Sequence, residues 1–284
     1  MKRLARHAAG RAGYRLVGSG GLRHLGTHRL QRTRPLPAEV QATGKGVDGP
    51  FTIPIDKVTT PVAFSFAPEG WHPYLPTLRE YIDDRRLPYE QSTLARYYAT
   101  YRPGNAQEAL LDDVDEPIEP LASWPPLLHL FKHIWALNPT RVRQILRNQE
   151  REKGLRQQFG PQDQAFGELQ IRRLVAVYES VALHGYRPDD YPGDQVMGYF
   201  VVGDDDYRFV ALHGNHRIPA FRLLGVDNIV AVTHWAHPPV IDDVYIQRWT
   251  SGRRRVLDPE TARLVLNKLL TETGADKARR LRLN

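Results

Sequence analysis

GYFVVGDDDYRFVALHGNHRIPAFRLLGVDNIVAVTHW, residues 198–235, decides how the rest of the chain is read. Two runs rich in β-branched and aromatic residues, 199–202 and 207–212, flank Gly203-Asp204-Asp205-Asp206, the layout of a β-hairpin with a polar turn. His213-Gly214-Asn215-His216 then offers turn and helix-start chemistry, and Ile218, Phe221, Leu223 and Leu224 give a short apolar helical face that Gly225 ends. Pro219 fits if the helix begins between 215 and 218, so that its missing N–H falls in the first turn. Residues 227–233 read as a buried strand. Strand, glycine loop, helix start, helix and strand in that order aim backbone N–H groups and Arg217 at one point outside a sheet, where an anion is well held.

Working outward, composition sets the bounds. The chain has 284 residues, 41% hydrophobic and 10% aromatic, as a globular protein of one elaborated domain or two small ones has. No apolar run approaches the ~18–20 residues of a membrane-spanning helix, so a cytoplasmic protein, at most peripheral to a membrane, is expected. Cysteine is absent, which excludes disulfides, thiolate metal sites and thiol catalysis. The net charge of +7 is uneven: residues 1–38 hold nine Lys and Arg and no acid, leaving residues 39–284 at −2. This arm suits an anionic membrane surface or nucleic acid, resembles an Arg-rich transit peptide, and equally fits a solvated tail.

The segment GNHRIPAFRLLGVDNIVAV, residues 214–232, resembles the G-x-H-R-x-x-A-x-x-x-L-G-x-x-x-[IV]-x-[AV] signature of the ParB/sulfiredoxin-like superfamily. FTIPIDKV, residues 51–58, is similar to the first strand of such domains, and the amphipathic helix from Glu168 through Ile171, Leu174, Val175, Tyr178, Val181 and Ala182 to His184-Gly185-Tyr186-Arg187-Pro188 resembles the helix before their hairpin. The resemblance implies an α+β fold with a mixed sheet and packed helices. It implies a nucleotide, ATP or ADP with Mg²⁺, bound at Gly214, Asn215, His216 and Arg217. Sulfiredoxin chemistry is excluded because it needs a cysteine in this loop. The kinase branch, which phosphorylates a small hydroxyl compound, uses a glutamate soon after the first strand as general base. Glu69 lies in the matching region, and His72 is the reserve. Both also read as a turn-stabilising surface pair. His213 departs from the Asp that relatives often carry there. DNA binding of the partition type is the rival reading, but about fifty residues after Trp235 with one clear helix are too few for the helix-turn-helix and dimer segment it needs.

The chain accordingly divides into a basic arm and linker over 1–49, the ParB-like domain over 50–66 and 159–250, a large helical insertion over 67–158 that covers one side of the sheet, and a helix with a basic, frayed tail over 251–284. The insertion holds helical stretches from Leu75, from Thr93 and over 140–156; an autonomous fold is its competing reading. Glu168 with Arg172 and Arg173 reads as a surface ion pair worth ~0.3–0.5 kcal/mol. Asp189, Asp190 and Asp194 read either as Mg²⁺ ligands or as an acidic turn. Asp258-Pro259 is an N-cap and N1 pair. No His-Glu-x-x-His spacing supports a zinc site.

Overall fold

The computed structural model describes residues 14–17, 29–32, 50–124, 134–135, 158–187, 195–233, 238–250 and 257–283. In the arm, β1 (Tyr14–Val17) pairs antiparallel with β2 (Arg29–Arg32). The helix expected over 140–156 and the acidic turn at Asp189, Asp190 and Asp194 lie outside the described residues.

The expected hairpin forms. β5 (Val196–Val202) and β6 (Tyr207–His213) pair antiparallel, with an irregularity between Met197 and Gly198. A Cβ on Gly198 would lie 2.0 Å from the Val210 carbonyl oxygen, so only glycine lets the strands meet there. β7 (Asn228–Thr233) runs parallel to the start of β5, and β8 (Val240–Ile241) continues along the same margin, parallel to its end.

FTIPIDKV, expected as one strand, is two. β3 (Phe51–Pro54) pairs with β7, a 3₁₀ turn takes Ile55–Lys57, and β4 (Val58–Thr59) pairs with β6. The sheet order is β3-β7-β5-β6-β4, so strands adjacent in sequence sit at opposite margins. In a flat sheet, four spacings of about 4.8 Å would part them by about 19 Å. The linking residues span at most about 14 Å even when extended. The sheet must therefore curl until its margins approach, and Phe51, Ile53, Ile55, Val58, Phe200 and Phe209 share one buried cluster.

On the other face, Tyr199, Val201, Val210 and Leu212 join a second cluster. Residues 67–158 supply α1 (Tyr74–Asp83), α2 (Thr93–Thr100) and α3 (Ala106–Leu110), whose Leu78, Leu94, Tyr97 and Ala109 enter that same cluster. α4 (Gln164–His184) ends at Gly185, φ 76°, and its buried positions are Gly167, Gln170 and Leu174. α5 (Arg217–Leu223) starts so that Pro219 falls in its first turn. α6 (Asp243–Thr250) precedes α7 (Pro259–Thr271), where the expected cap forms: the Asp258 carboxylate accepts from the N–H groups of Glu260 and Thr261 at 2.9 and 3.0 Å.

The tail expected to fray is instead ordered as α8 (Ala275–Arg280), because Lys277, Ala278 and Leu283 are buried against the body. Among the described residues the chain is thus α+β, with a six-stranded mixed sheet and eight α-helices. No helix among them is long and apolar enough to cross a membrane.

Candidate functional site

Gly214 carries the chain out of β6 with φ 102°, and a Cβ there would stand 2.9 Å from Val196 Cγ2. Its carbonyl accepts from the N–H groups of Arg217 and Ile218 at 2.9 and 3.1 Å, which closes the turn into α5. No side chain caps α5, and the Asn215 and His216 amides find no acceptor among the described residues. Asn215 is 8% exposed, with a buried Oδ1 that has no hydrogen-bond donor among the described residues. A buried acceptor in that state carries an unrecovered desolvation cost, and a hydroxyl or amine from a ligand would remove it.

His216 is held from two helices. Its ring stacks on Tyr74 of α1, with centroids 5.0 Å apart and planes 27° apart. Its Nε2 lies 3.1 Å from Gln170 Oε1 on α4, and the Tyr74 hydroxyl donates to that same oxygen at 3.4 Å. Because the amide oxygen only accepts, His216 donates from Nε2 and keeps Nδ1 as a lone pair. Tyr98 hydrogen-bonds Tyr74 and extends the chain of partners. Burial, then the charges of Arg173 and Arg217, push the His216 pKa down to about 4. A neutral imidazole thus feels the charge of two guanidinium groups.

His72 belongs to the same cluster. It is 2% exposed, stacks on Phe66 at 4.7 Å and meets Tyr74 edge-on at 5.1 Å. Its Nδ1 accepts the Tyr74 N–H at 3.2 Å, so the neutral ring carries its proton on Nε2. Burial first, and the charge of His216 second, lower its pKa to about 3. The turn-stabilising surface role does not fit a side chain so buried.

Of the residues expected from sequence, the structure brings His72 together with His216 through Tyr74. Glu69 is exposed in the 67–70 turn. Glu168 pairs with Arg172 at 3.7 Å, as expected on the surface, while Arg173 acts on His216 and Tyr74 instead. Tyr74 and Gln170 were not foreseen as site residues. The available signal was Gln170 itself, a polar residue at the i+3 position between Gly167 and Leu174 on the buried stripe of α4.

Among the described residues no group of three or more His, Asp or Glu could hold a metal ion. Comparison with family models, curated proteins and solved structures finds no match for the chain.

Proposed function

We propose that the protein binds a nucleoside di- or triphosphate at Gly214, Asn215, His216 and Arg217, in a ParB/sulfiredoxin-like domain, and that it transfers phosphate to a small hydroxyl compound such as an amino acid or sugar. The observation that carries the binding half is the glycine turn at the end of β6, with open amides at Asn215 and His216 and the charges of Arg173 and Arg217 converging on it. Open amides and guanidinium groups are the donors that phosphate oxygens need. The unpaired Asn215 Oδ1 suits a hydroxyl donor beside them.

In the transfer half, the acceptor hydroxyl oxygen forms a bond to the terminal phosphorus as the bond from phosphorus to the bridging oxygen breaks. The shortened nucleotide leaves with that electron pair, and the hydroxyl proton passes to the Glu69 carboxylate. A second reading, nucleotide binding without transfer, is favoured by two observations: Glu69 stands exposed, and His72 is far too weak a base near neutrality to serve in its place.

Calorimetry tests both halves. Arg217→Ala should weaken ATP or ADP binding by about 1.5–3 kcal/mol, the range for a hydrogen bond to a charged group. Wild type that binds neither nucleotide refutes the site. Glu69→Gln should abolish nucleotide consumption while binding persists; consumption at the wild-type rate removes Glu69, and an absence of consumption in wild type leaves the binding protein.

A further inference from the structure

We infer that the cleft between α1, the start of α2 and the last turn of α5 binds a small organic anion, a phosphate monoester or a dicarboxylate, through Arg79 and Arg222. The cleft encloses about 390 Å³, within the range of small-molecule sites. Trp71, Leu75 and Pro76 give it apolar walls, and Arg79, Arg96 and Arg222 bring three guanidinium groups against a single carboxylate, Glu80.

That carboxylate is already committed. Glu80 accepts from the Thr93 N–H at 2.7 Å, from the Thr93 hydroxyl, and from Arg96 at 3.1 Å. Arg96 in turn donates to the Gln91 carbonyl at 3.0 Å and to Thr93 Oγ1 at 2.7 Å. The group closes on itself and leaves Arg79 and Arg222 without an ion pair or side-chain hydrogen bond among the described residues. Arg222 is half-buried and Arg79 is exposed. An entering anion with two charged oxygens would meet the planar fork of each guanidinium in a charge-assisted hydrogen-bonded pair. Two such groups from different helices, lining one cleft with an aromatic wall, select a compact ligand with an acidic end and an organic body.

The cleft differs from the phosphate turn. Arg217 opens α5, whereas Arg222 lies five residues on, about 7.5 Å along the axis at 1.5 Å per residue. Arg79 comes from α1, and the buried His72 is the residue of the turn's cluster that also lines the cleft. The inference therefore does not depend on nucleotide binding.

Titration calorimetry of the full chain with glycerol 3-phosphate, with succinate and with uncharged glycerol decides it. At least one anion should saturate the wild type while glycerol does not, and whichever binds separates phosphate from carboxylate chemistry. Arg79→Gln and Arg222→Gln should each weaken that binding by about tenfold or more, and Arg222→Lys should retain part of it. Arg217→Ala should leave it unchanged; thermal melting confirms that each variant is folded. The inference is overturned if neither anion saturates the wild type, if both Gln variants bind as the wild type does, or if Arg217→Ala loses the anion as strongly as they do.

Discussion

Acidification from pH 7.5 to 5.0 should destabilise this protein well before its carboxylates titrate. His72 and His216 stay neutral in the folded state, with pKa values lowered to about 3 and about 4 against 6.5 when unfolded. Between those limits the unfolded chain binds more protons than the folded one, so stability rises with pH and falls as acid is added. At pH 5.0 the unfolded state gains about 2 kcal/mol from protonating each ring, and the pair costs the fold about 4 kcal/mol. The acids whose pKa values are lowered in the fold, Asp113, Asp206 and Asp258, begin from 3.8 and respond mainly at lower pH. Urea unfolding at the two pH values measures the loss directly. His216→Gln keeps a donor for Gln170 and removes one titrating ring, so its loss should shrink to about 2 kcal/mol. A wild type that loses less than about 1 kcal/mol, or a variant with the full wild-type loss, refutes the picture of two rings held neutral by burial and neighbouring charge.

At the alkaline end, burial lowers the Lys277 pKa to about 8, from 10.5. From pH 8.5 to 9.5 the unfolded state holds the proton that the folded state has released, so wild type should gain about 1 kcal/mol relative to Lys277→Met, measured by urea midpoints; parallel pH profiles of the two proteins contradict this. Gly214→Ala forces a side chain onto φ 102° and against Val196. It should cost about 1–3 kcal/mol and abolish nucleotide binding, and an unchanged unfolding midpoint with intact binding removes the conformational argument.

Local chemistry made several elements legible: the hairpin around Gly203, the first turn of α5 at Pro219 and the cap at Asp258 each depend on residues a few positions apart. FTIPIDKV misled because Phe51, Ile53, Ile55 and Val58 are all buried, so apolar alternation runs through a break that only Pro54 and the tertiary pairing reveal. In the candidate site, Gly214 to Arg217 could be read as a string. Its supports could not, since Gln170 reaches His216 across 46 positions and Tyr74 across 96. The same distance effect explains the tail: Arg279 and Arg280 make DKARRLRLN look solvated, but Lys277 and Leu283 are matched to pockets built elsewhere in the chain.

The Thr273 carbonyl accepts the N–H groups of both Ser65 and Trp71, at 3.2 and 2.9 Å, and Gly274 packs against Phe64 with φ 80°. A segment near the start of the sheet is thus fastened by one that lies far beyond it in the sequence. A nascent chain growing at ~5–20 residues per second would carry the sheet face of Tyr199, Val201 and Val210 without α7 until Val265, Leu266 and Leu269 emerge to pack over the hairpin. Translation that stops before residue 257 would leave a product with its sheet drafted and its greasiest surface open to chaperones and proteases.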